Sequence, residues 1–325
     1  FMSYWITDRA IDYLDMRKDS DGPWFLFTSY KIPHSPYRTP EPYHSMYPED
    51  SFDVPPIPKG NDKTRARSNS KRHVIDSEPL LRALTAQYFG HVTNVDDNIG
   101  RLLNALKDSG MDDNTIIVFT ADHGNMLGDR GRFFKGVMYE GSTHVPLLMR
   151  VPKGSKHADD FNKGHVEESL IENIDIMPTL LEMAGVPVPE NGIQGQSFVN
   201  LVSGDDTHWK NVCFAERSTR MVRTPEYKLI EAPGAKTGRY ELYDMINDLN
   251  EEHDLANDAE YNDVMDDLIA RMKAWREDVP PPPAIPGLPT PECTIISPEV
   301  RREHEAAKKA KKQKKLKSKK VKKQR

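Results

Sequence analysis

The sequence predicts an α/β fold: a mostly parallel sheet sandwiched by helices, followed by a small C-terminal antiparallel sheet with one helix. Apolar runs at residues 24–30, 115–121 and 145–151 have the composition of strands that are buried on both faces. These runs alternate along the chain with segments whose apolar residues recur at helical spacing. Strands and helices that alternate in this way are typical of a parallel α/β sheet.

The helical segments are recognised by their apolar spacing and by residues that favour helix ends. Residues 80–109 carry the longest helical pattern, and Gly110 is suited to end it. A shorter helix is predicted between Asp175, a favourable N-cap residue, and Gly185. Residues 3–17 form a further amphipathic helix. Its predicted buried face consists of Ile6, Ala10, Tyr13 and Leu14.

Changes in composition divide the chain into three regions. Residues 1–206 hold the large α/β region, and residues 207–279 hold the small region with a helix over 259–277. Residues 280–298 contain eight prolines and then give way to a lysine-rich run, so residues 280–325 are predicted to be a linker and a disordered tail. The strand candidates of the small region are residues 212–216, 221–223, 227–231 and 239–243.

The charges are distributed unevenly, which limits the classes of partner. The chain has 45 basic and 50 acidic residues, a formal net charge of −5. Residues 301–325 hold fourteen basic and two acidic residues, which leaves 31 basic and 48 acidic residues in residues 1–300. An acidic body of this kind argues against nucleic-acid binding by the body. The tail is either a solvated end or a segment that contacts a polyanion. No apolar run reaches the length of a transmembrane segment.

The main chemical signal is Asp122-His123-Gly124, which directly follows the predicted strand over residues 115–121. Ligands of open parallel sheets bind beyond the carboxyl ends of the strands. A carboxylate and an imidazole there can both coordinate a divalent cation, and the glycine permits a tight turn beside it. The same tripeptide is also compatible with an ordinary hydrogen-bonded turn.

Two further residues are candidates for contact with an oxyanion. Lys135 lies in a glycine-containing loop and carries a charge suited to a tetrahedral oxyanion; the alternative is a solvated lysine. His34 lies between Pro33 and Pro36 after the predicted strand over 24–30, and it is a candidate acid or anion donor. Its alternative is a loop histidine that contacts a carbonyl. We expect both residues to converge with Asp122 and His123 at one edge of the sheet.

Seven motifs in this order resemble the sulfatases of the alkaline phosphatase superfamily, over roughly residues 3–279. The motifs are residues 33–36, 88–103, 113–124, 135–141, 145–147, 175–181 and 241–244. The resemblance implies an alkaline phosphatase-like fold and a sulfuric ester hydrolase that acts on an anionic sulfate ester, of a carbohydrate or a small organic molecule. It also implies a periplasmic or extracellular location.

The resemblance assigns roles to four residues. Asp122 and His123 resemble two ligands of the family's single divalent cation, usually calcium, although the imidazole also suits manganese or zinc. Lys135 resembles the catalytic lysine that binds a sulfate oxygen. His34 resembles the catalytic histidine that contacts the sulfate group and assists the leaving oxygen.

The chain departs from the family at the nucleophile, a formylglycine made in a Cys/Ser-x-Pro/Ala-x-Arg motif that precedes the metal motif. Residues 213–217 carry Cys213 and Arg217 at that distance, but Glu216 stands where a small hydroxyl residue belongs, and the segment follows the metal motif. We therefore expect a fragment with half of the active site, inactive by itself, with the formylglycine upstream. The alternatives are a phosphonate or phosphodiester hydrolase of the same superfamily, and a non-catalytic remnant that binds polyanions through its tail.

Overall fold

Helices and two antiparallel sheets make up the described part of the chain. The computed structural model describes residues 1–56, 77–155, 157–159, 161, 164, 166–189, 192–217, 219–231 and 239–278. The predicted linker and lysine-rich tail, residues 280–325, lie outside these ranges. No helix within them combines the length and the apolar character needed to cross a bilayer.

The first two helices, α1 (Met2–Arg17) and α2 (Glu78–Asp108), pack against each other through a polar seam. The Ser3 hydroxyl donates to Asn94 Oδ1 at 2.5 Å, and the Thr7 hydroxyl donates to Asn98 Oδ1 at 3.0 Å. The predicted buried face of α1 was therefore partly wrong. Ala10 and Leu14 are buried, but Ser3 and Thr7 complete the face, whereas Ile6 and Tyr13 are half-buried. The hydroxyls belong inside because α2 supplies amide oxygens to receive them.

The loop that carries His34 continues along α2 and is fixed there by side-chain contacts. The Thr39 hydroxyl donates to Gln87 Oε1 at 2.6 Å, and the Tyr43 hydroxyl donates to Asp97 Oδ2 at 2.7 Å. A Cβ atom on Gly90 would lie 2.4 Å from the Tyr43 carbonyl oxygen. Only glycine at this helical position allows the loop to approach so closely.

The two strands beside the candidate site pair antiparallel, and the ladders of the described residues do not include the mostly parallel sheet predicted from the sequence. Strand β1 (Ile117–Thr120) pairs antiparallel with β2 (Leu147–Arg150), so that Phe119 lies opposite Leu148. The connection between β1 and β2 contains one single-turn α-helix, α3 (Glu140–Thr143).

The predicted strand over residues 24–30 forms no ladder with another described segment. Its residues alternate in exposure: the side chains of Phe25 and Phe27 are 73% and 79% exposed, whereas Trp24 and Leu26 are half-buried. The alternation is the pattern of a strand with one covered face. The composition had predicted burial on both faces.

The helix predicted after Asp175 is α4 (Ile176–Met183), and a short helix, α5 (Val199–Val202), follows it. Asp175 is the N-cap residue of α4, as predicted, but its side chain accepts no hydrogen bond from the first turn of that helix. Its buried carboxylate accepts hydrogen bonds from the backbone N–H groups of Glu172 and Gln196, both at 2.8 Å, and pairs with Lys210 at 3.0 Å. Its carboxylate therefore links the segments that contain Glu172, Gln196 and Lys210, and it does not bond to the first turn of α4.

All four strand candidates of the small region form one antiparallel sheet in sequential order. The strands are β3 (Cys213–Glu216), β4 (Arg220–Arg223), β5 (Tyr227–Glu231) and β6 (Tyr240–Asp244). Helix α6 (Asn262–Asp278) covers one face of this sheet, where Phe214 and Trp275 stack with ring centroids 5.1 Å apart. The buried core of this face consists of Val222, Leu229, Leu242, Leu268 and Met272.

The other face of this sheet packs against the segment between β1 and β2. Apolar residues of both sides form a common core, namely Met126, Met138, Tyr139, Met221, Ile230, Tyr243 and Met245. Lys228 of β5 lies in the same interface, fully buried, with its ammonium group 2.7 Å from Glu140 Oε1 and 2.8 Å from Glu251 Oε1. This ion pair joins the small sheet to α3.

We predict that Lys228→Met lowers the free energy of unfolding by about 3–5 kcal/mol, because it leaves the buried Glu251 carboxylate without its cation. Urea denaturation measures the change. Lys273→Met is the matched control: this lysine is exposed on α6, and its replacement should change stability by about 0.5 kcal/mol at most. Equal stability of the two variants would contradict the structural role of the buried ion pair.

Candidate active site

The turn formed by Asp122, His123 and Gly124 begins two residues after β1. The backbone N–H of His123 donates to Asp122 Oδ1 at 3.0 Å. Imidazole Nδ1 of His123 lies 2.8 Å from the Gly124 carbonyl oxygen, which can only accept, so Nδ1 carries the hydrogen. In the neutral imidazole, Nε2 then keeps a free lone pair, and it lies 3.3 Å from Asp122 Oδ2.

Gly124 allows this turn to rest directly on α3. A Cβ atom at this position would lie 2.4 Å from the Gly141 carbonyl oxygen. The Gly124 N–H donates to the Ser142 carbonyl oxygen at 2.9 Å. The position of the Asp122 and His123 side chains therefore depends on where α3 lies.

The donor set of the turn fits one side of a metal site. A histidine that binds a metal through Nε2 commonly donates its Nδ1 hydrogen to a carbonyl, as His123 does. The 3.3 Å between His123 Nε2 and Asp122 Oδ2 suits adjacent ligands of one ion at metal–ligand distances of about 2.1 Å. Asp122 is 86% exposed and so accessible to an ion. Across the described ranges, no group of three or more His, Cys, Asp or Glu residues could hold a metal.

Lys135 is half-buried in a loop with an unusual backbone. Its neighbours Phe134 and Gly136 both have positive φ, +70° and +92°. The strained conformation of Phe134 is held on both sides: its N–H donates to Asn125 Oδ1 at 3.1 Å, and its carbonyl accepts from Met126 N–H at 2.8 Å. The path of the loop directly before Lys135 is therefore fixed by the hydrogen bonds of Phe134.

His34 is exposed, and its imidazole Nδ1 lies 2.6 Å from the carbonyl oxygen of Ser35. The contact matches the alternative of a loop histidine bound to a carbonyl. It is also compatible with the proposed acid or anion donor, because it fixes one ring nitrogen and leaves Nε2 for a ligand.

The three loops meet at Asn125, which the sequence analysis did not single out. Its Nδ2 group donates to the Tyr37 hydroxyl at 2.9 Å, and Tyr37 lies three residues after His34. Its Oδ1 atom accepts from Phe134, the residue before Lys135. Burial raises the pKa of Tyr37 to about 12, so the phenol stays neutral. The turn, the His34 loop and the Lys135 loop are thus neighbours.

A second group of charges lies behind the turn, at α3. Glu140 Oε2 is 3.2 Å from His144 Nδ1, and Glu140 Oε1 contacts the buried Lys228. Burial alone raises the pKa of Glu140, but the hydrogen bond with His144 and the charge of Lys228 outweigh it and bring the pKa down to about 2. The same hydrogen bond raises the pKa of His144, against burial and the charges of Lys228 and Arg223.

Cys213 has the properties of a structural residue and not those of a nucleophile. It begins β3 and pairs in register with Arg223 of β4. Burial, together with the charge of Glu172, raises the pKa of its thiol to about 12, so the reactive thiolate is not populated at neutral pH. This agrees with the expectation that the segment over residues 213–217 is not the nucleophile motif.

Comparison with protein families gives two matches. The model described as Sulfatase matches residues 5–186. The model described as N-sulphoglucosamine sulphohydrolase, C-terminal, matches residues 128–278. The first match contains all four predicted site residues, and together the two matches extend from α1 to the end of α6.

Individual relatives and solved structures agree with these matches. An arylsulfatase from Clostridium perfringens is 33% identical over 274 residues, which cover 81% of this chain and 55% of that protein. An N-acetylglucosamine-6-O-sulfatase from Bacteroides thetaiotaomicron is 35% identical, over 59% of this chain and 36% of that protein.

The phosphonate monoester hydrolase from Silicibacter pomeroyi superposes with a TM-score of 0.71 at 27% identity, over 83% of this chain and 59% of that one. The fold is thus alkaline phosphatase-like, with mixed helices and sheets and a small antiparallel sheet. The chain spans little more than half the length of the arylsulfatase.

The paired shifts of Glu140 and His144 predict a bounded pH range for their contribution to stability. The lowered pKa of Glu140 stabilises the fold above its usual pKa of 4.5, and this contribution is lost as the pH falls to about 2. The raised pKa of His144 stabilises the fold below its usual pKa of 6.5, and this contribution is lost as the pH rises through the folded-state value.

We therefore expect His144→Asn to lower the free energy of unfolding most between pH 4.5 and 6.5 and less at higher pH. Urea denaturation across this range measures the effect. In a Glu140→Gln background the replacement of His144 should have little pH-dependent effect, because the partner carboxylate is gone. A stability difference that stays constant from acid to alkaline pH would contradict the pairing.

Proposed function

The chain belongs to the sulfatase family, and we propose that it supplies part of the active site of a sulfuric ester hydrolase. The observation that carries this proposal is the geometry of Asp122 and His123, whose Oδ2 and Nε2 atoms lie 3.3 Å apart at the end of β1. The substrate class is an anionic sulfate ester of a carbohydrate or a small organic molecule. The family resemblance also favours a periplasmic or extracellular location.

Asp122 and His123 would hold one divalent cation. When bound, the cation supplies positive charge that stabilises the oxygens of the transferring sulfate group. The family resemblance favours calcium, whereas the imidazole ligand favours manganese or zinc. Two protein ligands are fewer than any of these ions takes in a closed site, so the remaining ligands come from other groups.

Lys135 and His34 would act on the sulfate group itself. The ammonium group of Lys135 would pair with a sulfate oxygen and hold the group in place. His34 donates Nδ1–H to the Ser35 carbonyl, so only its imidazolium form carries a hydrogen on Nε2. In that form it would donate the Nε2 proton to the ester oxygen as the bond to sulfur breaks, and would be left as the neutral imidazole. The hydrogen bonds of Asn125 support this proposal, because they link the loops of both residues to the metal-binding turn.

The attacking group is proposed to be a formylglycine outside residues 1–325. Within the chain, Cys213 has the nearest spacing to the family's motif, but burial keeps its thiol protonated. We also propose that β1, β2 and the segment over residues 24–30 belong to a larger, mostly parallel sheet. The superposition on the phosphonate monoester hydrolase supports this.

A phosphonate or phosphodiester hydrolase is the second candidate function. The similarity to the Silicibacter pomeroyi phosphonate monoester hydrolase favours it, as does the imidazole ligand. Rates on p-nitrophenyl sulfate and p-nitrophenyl phenylphosphonate separate the two candidates in any longer protein that contains this chain. A higher kcat/KM for the sulfate supports the sulfatase, and the reverse order supports the phosphonate hydrolase.

We predict that Mn²⁺ binding depends on the turn. In the purified chain, Asp122→Ala and His123→Ala should each lower the amount of bound Mn²⁺, as measured by electron paramagnetic resonance, without changing the unfolding midpoint. Asp267→Ala on the exposed face of α6 is the control and should bind as the original chain does. Mn²⁺ binding that is unchanged by both turn variants would remove the metal assignment.

We also predict that residues 1–325 alone do not hydrolyse p-nitrophenyl sulfate, because binding groups cannot lower the barrier without an attacking nucleophile. A longer protein that contains this chain and the family's motif should be active, and Lys135→Ala in it should lower kcat/KM by at least about tenfold. Turnover by the isolated chain that survives both Cys213→Ala and Cys293→Ala would contradict this mechanism.

A further inference from the structure

We infer that Asn125 is a positioning residue that fixes the loops of Lys135 and His34 relative to the Asp122–Gly124 turn. The inference rests on the proposed function, because it concerns the same candidate site. Asn125 lies two residues after His123 and contacts both of the other loops through its side-chain amide. No other described side chain hydrogen-bonds to both of these loops.

The amide oxygen of Asn125 contacts two of the three non-glycine residues that have positive φ between Asn125 and Lys135. It accepts the N–H of Leu127 and the N–H of Phe134, each at 3.1 Å. These residues have φ of +45° and +70°, the left-handed region that side chains other than glycine rarely adopt. Such conformations persist where the surrounding contacts impose them. Because Phe134 directly precedes Lys135, its backbone conformation sets the direction in which the lysine leaves the loop.

The amide nitrogen of Asn125 fixes the third loop through Tyr37. It donates to the Tyr37 hydroxyl at 2.9 Å. The Tyr37 ring is held by three neighbours, with centroids 6.0 Å from each of Phe133, Tyr88 and His91. Tyr37 is therefore rigid enough to transmit the position of Asn125 to the loop, and His34 lies only three residues before it.

The side-chain amide of Asn125 thus connects, through hydrogen bonds, three loops that are far apart in sequence. Groups that act together on one sulfate must be held to within a fraction of an ångström, and loops need supporting hydrogen bonds to achieve this. An amide suits the position because it donates and accepts at once and carries no charge. A carboxylate would add a negative charge beside the proposed anion-binding groups.

The test uses the purified chain and three variants. Asn125→Leu removes all three hydrogen bonds with little change in volume. Tyr37→Phe removes only the bond to the His34 loop. Thr179→Ala is the control for lost stability, because its buried hydroxyl bonds Asp175 and Phe198 at α4 and contacts none of the three loops. Amide hydrogen exchange and calorimetric titration with inorganic sulfate are measured for each, well below the unfolding temperature.

For Asn125→Leu, we expect faster amide exchange at Leu127, at Phe134 and across residues 34–38, with sulfate binding weakened by about tenfold or more. Tyr37→Phe should accelerate exchange only across residues 34–38 and weaken sulfate binding less. Thr179→Ala should leave the sulfate affinity unchanged. If Asn125→Leu does not fold, Tyr37→Phe gives the same comparison for the His34 loop.

Exchange that increases only at Leu127 in Asn125→Leu would show a purely local turn and overturn the inference. So would sulfate affinity that falls equally in Thr179→Ala and Asn125→Leu. If the original chain binds no sulfate, the proposed roles of His34 and Lys135 fail, and the exchange pattern alone decides whether Asn125 positions their loops.

Discussion

The candidate site depends on a buried charge that lies outside it. The ammonium group of Lys228 has no contact with solvent and pairs with Glu140 and Glu251. Removal of Lys228 would lower the stability of the fold, because it would leave these carboxylates without their cation. Glu140 begins α3, and α3 carries the backbone on which Gly124 rests. The small C-terminal sheet therefore supports the turn through α3, although it contributes no candidate ligand.

The candidate site consists of a buried supporting layer and a layer of exposed side chains. Behind the turn, ion pairs and a shared apolar core fix α3 against the sheet. In front of it, Asp122 and His34 are exposed to solvent, and each side chain is held by a hydrogen bond to the backbone of the next residue. Between the two layers, Asn125 connects loops that carry the candidate binding groups. Such a design keeps the reactive side chains accessible while their positions are set from behind.

The sequence predicted those parts of the structure that depend on local patterns. The helical spacing over residues 80–109 gave α2 to within two residues, and the four strands of the small sheet were each found to within one or two residues. The Asp122 turn was singled out because an aspartate, a histidine and a glycine in succession are residue types that suit a metal-binding turn. The antiparallel pairing of β1 with β2 was not predicted, because the order of strands and helices along the chain does not determine which strands are neighbours in a sheet.

Residues whose role depends on long-range contacts escaped the sequence analysis. Nothing adjacent to Asn125 indicates that its amide meets a tyrosine 88 positions earlier. Lys228 did leave a signal, because it interrupts an apolar run within β5, but its partners lie 88 and 23 residues away. Ser3 and Thr7 were overlooked because hydroxyls are assigned to the surface unless a receiving amide is known.

The burial of Lys228 also determines how the protein responds to salt. Dissolved ions screen charges that water can reach, within a Debye length of about 8 Å at physiological ionic strength, but they screen enclosed pairs much less. The exposed Asp122 and His34 are in the first class, and the Lys228 ion pairs are in the second. Raising the ionic strength therefore weakens the attraction of the Asp122 carboxylate for a cation while leaving the Lys228 ion pairs intact, so electrolyte concentration separates cation binding from the integrity of the fold.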